Sequence, residues 1–226
     1  MTTLTRSLCA FWNSSIGKKI VVAVTGLIFI AFLAGHLIGN LLVFVGQEAF
    51  NEYAHWLHHL GHGGAIWAAR IVLLGSLVLH VVATVSLTRA NRAARPSYAK
   101  EDTIQASRSS RVMIWSGLTV LAFIIFHILH YTVRVDSQLA ELGKEDPWKM
   151  VIVGFQNPAA SIFYVIAMVL LCSHLAHGFS SAFQTLGLNS SKTRPTLQLI
   201  GKAYAVLICL GFISIPISIL FFGYGN

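Results

Sequence analysis

The sequence predicts an all-α polytopic membrane protein: one integral membrane domain over residues 1–226, with five transmembrane helices. Three observations predict it. The chain is 55% hydrophobic, with a mean hydropathy of +0.70. Only 11% of its residues are charged, where a soluble domain carries about 25%. Its apolar residues gather into five runs, 20–45, 65–87, 112–133, 159–183 and 199–222. Each is near the roughly 20 residues needed to cross a hydrocarbon core about 30 Å thick. A closed barrel would instead show alternating segments of about ten residues.

The first run follows Arg6, Lys18 and Lys19, as a secretory signal would. It is longer than the roughly 7–15 apolar residues of such a signal and no A-x-A site follows, so it reads as a retained span. The connection after it, "EAFNEYAHWLHHLGHGG" (48–64), places Phe50, Tyr53, Ala54 and Leu57 at helical spacing and predicts an amphipathic interfacial helix. The second run ends in a basic segment, 88–111, that reads as an orienting loop. The third and fourth runs are uninterrupted, and Pro216 predicts a kink in the fifth.

Twelve of the sixteen Lys and Arg residues fall in the N-terminal tail and in the second and fourth connections. Arg70, Arg134, Lys144 and Lys149 fall at the opposite ends. The positive-inside rule then places the N-terminus in the cytoplasm and the C-terminus outside. The same placement gives the net charge of +8 a topological meaning, and nothing in the pattern suggests nucleic acid. Cys9, Cys172 and Cys209 form no C-x-x-C or C-x-x-C-H, which argues against a zinc ribbon, an iron–sulfur site and covalently attached c-type haem. The short connections leave no room for a soluble catalytic domain.

Ionisable residues inside a bilayer are costly and mark function. Here the spans hold His36, then His80, then His127 or His130, then His174 or His177, while the fifth holds none. His36 is the seventeenth residue of its run, and His80, His127 and His174 are each the sixteenth of theirs. Because successive spans are antiparallel, the first- and third-span histidines lie together toward the outside, and the second- and fourth-span histidines toward the cytoplasm. The two levels are about 15 Å apart at 1.5 Å per residue. Two imidazoles at each of two depths is the pattern of two bis-histidine haems, for which neutral imidazole is the ligand form. Zinc or copper would ask for three or four ligands at one depth. A proton relay would ask for carboxylates, which the spans lack. Gly35 and Gly39 flank His36, Gly75 and Ser76 precede His80 by about a turn, and Gly178 follows His174 by one turn. These small residues suit either a flat macrocycle or close helix packing.

The segments "TGLIFIAFLAGHLIGNLLVF" (25–44), "RIVLLGSLVLHVV" (70–82), "VLAFIIFHILHY" (120–131) and "CSHLAHGFSSAFQTLGL" (172–188) resemble a known family. It is the single-chain, five-helix, two-haem cytochrome b anchor of succinate:quinone oxidoreductase, respiratory complex II of the tricarboxylic acid cycle, and its fumarate reductase relatives. The resemblance covers the first four spans. It implies His36 with His127 as axial ligands of an outer haem b, and His80 with His174 as those of a cytoplasm-side haem b, which resolves both doublets. It implies a flavoprotein and an iron–sulfur subunit as partners, since this chain has no flavin motif or cysteine set of its own. FAD and iron–sulfur clusters then belong to those partners on the cytoplasmic face of a bacterial inner membrane. The chain itself passes electrons to a membrane quinone, with menaquinone common among two-haem members. A higher oligomer of the complex is compatible with this.

Two positions depart from the family. A glutamate that some members carry two residues before the fourth ligand is Cys172 here, and a polar residue of the first span is Ala23. Haem propionate partners are then sought among Ser110, Arg111, Gln184 and Lys19 inside, and Arg70 and Arg134 outside. His130 and His177 remain as further cofactor-side candidates; the readings of His130 are a haem propionate partner, a quinone-pocket wall or a wet interfacial residue. His55, His58 and His59 are candidates for the wall of a quinone pocket. The rival readings are a cytochrome b anchor for a hydrogenase or formate dehydrogenase, and a transporter or structural membrane protein without haem.

Overall fold

The computed structural model describes residues 2–93 and 108–225, with side chains described from 113 onward in the second stretch. Every regular element among the described residues is helical. Helix α1 (Thr3–Asn13) is amphipathic and turns sharply into α2 (Ser15–Leu41). Ser14 caps that start, its Oγ accepting from the Gly17 N–H at 2.9 Å. A Cβ at Gly17 would run into the Phe11 carbonyl, so the turn closes only on glycine there. After a 3₁₀ turn (Leu42–Phe44) come α3 (Gln47–His59) and α4 (Gly64–Ala93). Next are α5 (Arg108–His127), a π-helical turn (Ile128–Val133), α6 (Ser137–Glu145) and α7 (Pro147–Gln156). Helices α8 (Pro158–Thr185) and α9 (Arg194–Phe222) complete the chain.

Five segments are long and apolar enough to cross a membrane: Ser15–Phe44, Gly64–Ala93, Met113–Val133, Pro158–Thr185 and Arg194–Phe222. They fall on the five apolar runs, and the expected all-α class holds. Helix α9 continues through the buried Pro216. The basic segment after α4 lies largely outside the described residues.

Helices α2 and α8 form the centre. Helix α4 packs on α2, α5 packs on α8, and α9 lies along α8 and α2. Among the described residues, α4 and α5 are not packed against each other as α4 is on α2 or α5 on α8. The most closed packing is among α2, α7, α8 and α9, where Ile152, Ile208, Val43, Pro216 and Ser161 are fully buried. The lipid-directed faces of α4 and α5 carry exposed Ile71, Leu74, Val78, Trp115 and Leu118, as a bilayer solvent permits.

The short helices α3, α6 and α7 cap one end of the bundle. Asp146 ends α6 and begins α7, accepting from the Lys149 N–H at 3.0 Å. Its carboxylate also accepts from Gln47 Nε2 at 2.6 Å and Asn51 Nδ2 at 2.8 Å, tying α3 to α7. The Val43 carbonyl receives both Trp148 Nε1 and the Tyr224 hydroxyl, each at 2.9 Å. Burial works to raise the Asp146 carboxyl. The hydrogen bonds from Asn51, Lys149 and Gln47, with the Lys149 charge, outweigh it and hold the group below its ordinary value.

Candidate functional site

Helices α2 and α5 bring His36 and His127 together near the capped end, with ring centroids 5.8 Å apart and planes at 82°. Each imidazole stacks on a phenylalanine four residues before it in the helix. Phe32 lies 5.0 Å from His36 at 17°, and Phe123 lies 5.7 Å from His127 at 30°. The Tyr164 hydroxyl of α8 stands 3.1 Å from His127 Nδ1 and 3.2 Å from His130 Nδ1. A phenol has one proton, so at least one of these imidazoles donates to it. His36 has a different neighbour: its Nδ1 lies 3.3 Å from Asn40 Nδ2, an amide that also donates to the His36 carbonyl at 2.7 Å.

His80 of α4 and His174 of α8 lie at the other level, each against a hydroxyl of a neighbouring helix. His80 Nδ1 lies 2.9 Å from Thr25 Oγ1 of α2, and His174 Nδ1 lies 3.3 Å from Ser116 Oγ of α5. These contacts set the level of the pair. Thr25 precedes His36 by eleven residues and Ser116 precedes His127 by eleven. The two histidine levels are therefore about 16 Å apart at 1.5 Å per residue. The second level lies away from the cap.

The small residues divide into two kinds. At Gly35, Gly75 and Gly178, a Cβ would meet nothing within 4 Å. Gly39 is filled by α3: a Cβ there would lie 2.6 Å from Tyr53 Cε1. Ser76 is buried, one turn before His80 on the same face. His177 is half-buried, and its carbonyl accepts from Ser180 Oγ at 3.2 Å. Arg70 is exposed, with its guanidinium 5.0 Å over the Trp67 ring. Arg134 packs against Gly143 of α6, and Lys19 and Gln184 are exposed. Ser110 and Arg111 lie in the first turn of α5, where the side chains are outside the described residues.

The three loop histidines part company on α3. His58 joins His36, Asn40, Tyr53 and Leu57 around a cavity of about 170 Å³. His55 and His59 stack on each other at 4.0 Å and line a separate, open cavity with Trp56 and His62. The expected stripe of Phe50, Tyr53, Ala54 and Leu57 is the more buried side of α3, and all four line the His58 cavity.

Several side chains at the site were not singled out from the sequence: Thr25, Gly26, Ser116, Gly117, Tyr164 and Thr84. Gly26 and Gly117 lie beside the deeper imidazoles, at ordinary contact distance. A Cβ at Gly26 would lie 3.8 Å from His80 Cε1, and one at Gly117 would lie 3.5 Å from His174 Cε1. A signal for them exists. "TGLIFIAFLAGH" (25–36) and "SGLTVLAFIIFH" (116–127) match at hydroxyl, Gly, Leu, Ala, Phe and His. The same positions play the same parts in α2 and α5.

The residues fit a macrocyclic metal cofactor held by two protein ligands. Among the described residues, no group of three or more His, Cys, Asp or Glu could hold a bare metal ion. Open space lies beside Gly35, Gly75 and Gly178. Two buried hydroxyls have no hydrogen-bond partner, Thr84 Oγ1 one turn after His80 and Tyr131 Oη one turn after His127. Buried polar atoms are nearly always paired, so each is a place for a bound group to supply an acceptor or donor.

Among known proteins, the chain is similar to the succinate dehydrogenase cytochrome b558 subunit of Bacillus subtilis (strain 168). The two are 25% identical over 192 residues, which cover 84% of this chain and 87% of the relative. No protein-family model matches the chain. No solved structure matches it.

Proposed function

We propose that this chain, a homologue of the succinate dehydrogenase cytochrome b558 subunit, is the dihaem cytochrome b membrane anchor of a succinate dehydrogenase or fumarate reductase complex. In that role it carries electrons between a flavoprotein–iron–sulfur pair at one membrane face and a quinone in the bilayer. The observation that carries the reading is the placement of four imidazoles as two pairs, one near the capped end and one about 16 Å deeper.

His36 and His127 would hold the outer haem b, and His80 and His174 the inner one. Bound there, each haem supplies one-electron redox chemistry at a potential set by its ligands and surroundings. The chain's own residues do the rest. The antiparallel helices fix the two levels. The apolar walls exclude water. Gly35, Gly75 and Gly178 leave room for the ring faces, and Thr84 and Tyr131 are free to meet polar edges.

The cavity bounded by His36, Asn40, Tyr53 and His58 is the proposed quinone region. It adjoins an outer ligand, and His58 Nδ1 is held 2.8 Å from the Ala54 carbonyl. The ring therefore carries its proton on Nδ1, and Nε2 is left to accept one or, once protonated, to give one back. His55 and His59 face the other way and are not part of this wall. The distribution of Lys and Arg supports a cytoplasmic inner level and N-terminus, and the family resemblance supports partner subunits on that face of a bacterial inner membrane. Menaquinone is the proposed quinone, on the family resemblance alone.

The test is purification of the complex from its native membrane in mild detergent, with haem quantified per chain and partners identified. Two low-spin b-type centres per chain, together with a flavin-bearing partner, is the expected result. A colourless chain, or a nickel- or molybdenum-bearing partner, overturns it.

A further inference from the structure

We infer that Thr25 and Ser116 are positioning residues for the inner ligand pair, a role that rests on the dihaem reading and extends it. Each sits at the start of the repeated twelve-residue segment and serves the histidine of the following span.

The direction assigned to the two hydrogen bonds rests on each hydroxyl's proton going to a carbonyl of its own helix. A hydroxyl has one proton to give. Thr25 Oγ1 gives its proton to the Val21 carbonyl at 2.7 Å, with the Val22 carbonyl at 3.2 Å. Ser116 Oγ gives its proton to the Met113 carbonyl at 3.0 Å. Both oxygens can then only accept from an imidazole. His80 and His174 therefore carry their protons on Nδ1, and Nε2 of each keeps the lone pair a metal needs. Both hydroxyls are buried, at 4% and 6% exposure, so no water competes for them. Each ring also lies at contact distance from the glycine that follows its hydroxyl, Gly26 or Gly117.

Serine and threonine inside helices commonly back-bond to their own turn and do no more. Here the back-bond is what makes each hydroxyl a fixed acceptor. The recurrence of the same pair of contacts in both copies, hydroxyl to Nδ1 and glycine to Cε1, sets it apart from chance packing. A hydrogen bond accepted from Nδ1–H fixes ring orientation and raises the ligand's basicity. More basic ligands favour the oxidised metal, so losing the acceptor raises the midpoint potential of that centre.

The experiment compares Thr25→Val and Ser116→Ala with the hydroxyl-retaining Thr25→Ser and Ser116→Thr, each in the intact complex. Redox titration and low-temperature electron paramagnetic resonance are read for both centres. The inner centre is the one that His80→Ala removes. The expected result is an upward shift of the inner potential in the Val and Ala variants, near-wild-type values in the Ser and Thr variants, and an unmoved outer centre. If Thr25→Val does not assemble, Ser116→Ala decides alone, since it removes a single oxygen. Two haems with an unmoved inner centre, or equal movement of both centres, overturns the positioning role and leaves the dihaem reading standing. Fewer than two haems in the wild-type complex removes the dihaem reading itself, and this role with it.

Discussion

At the deeper level each imidazole has an aliphatic hydroxyl of its own, Thr25 for His80 and Ser116 for His174. At the capped level His127 and His130 share the single hydroxyl of Tyr164, and His36 faces the amide of Asn40. The first arrangement fixes one tautomer and one ring orientation. The second leaves a proton to be distributed between two imidazoles, beside a cavity and beneath helices that belong to no span. On the proposed dihaem reading the difference suits a division of labour: a rigid inner relay that must only pass electrons, and an outer site where proton chemistry accompanies them.

The largest effect expected from breaking this comparison is loss of one level at a time. On the proposed dihaem reading, His80→Ala and His36→Ala should each lower the haem content from two per chain to one, with different centres missing from the reduced-minus-oxidised spectrum. Loss of both centres from either variant would show that the levels are not separable.

Asp146→Ala should come next, because it removes the helix cap of α7 and the anchor for Gln47 and Asn51. A cost of about 2 kcal/mol is expected from the lost cap and its hydrogen bonds. It should appear as a lower melting temperature and earlier loss of the outer centre. The pH dependence has a definite sign. The Asp146 carboxyl titrates lower in the folded protein than its ordinary value of 3.8, so its contribution is complete above that value. It fades as pH falls through the lowered folded value. In an acid series the outer level of the wild type should therefore loosen on the low side of that window, and the Asp146→Ala variant should lack this component.

Tyr164→Phe keeps the ring and removes the shared hydroxyl. The expected cost in stability is about 1 kcal/mol, with an altered outer spectrum and an unchanged inner one. The smallest effect is expected at Arg70. Its guanidinium is exposed over Trp67, a contact worth about 0.5–1 kcal/mol. Arg70→Gln should leave both centres in place, while a lost centre would mean that this arginine reaches the cofactor after all.

Much of this architecture is legible in the amino-acid sequence. Composition alone separates the five spans, because a run of apolar residues long enough to cross a bilayer has few other uses. The two levels follow from counting residues along antiparallel helices of known rise, and the hydroxyl contacts return nearly the same spacing. The cap is less legible. Helices α6 and α7 are short and joined through Asp146, so their existence depends on tertiary partners in α3. The histidines of α3 read as one cluster in one dimension. Helical periodicity separates His58 from His55 and His59. Thr25 and Ser116 are the hardest to see, since a hydroxyl in an apolar helix ordinarily satisfies itself on the preceding turn. Only the repeat, as a pair of matched segments, marks them out.

The eleven-residue interval has a consequence for how this protein can change. Eleven residues make close to three full turns at about 3.6 residues per turn, so Thr25 and His36 project from the same side of α2, as do Ser116 and His127 from α5. One insertion or deletion within either interval would swing the two ends about 100° out of register. The helix would survive and its apolar character would survive, yet one rod could no longer serve both depths. Lipid-facing side chains in these two stretches are free to vary, whereas their lengths are not.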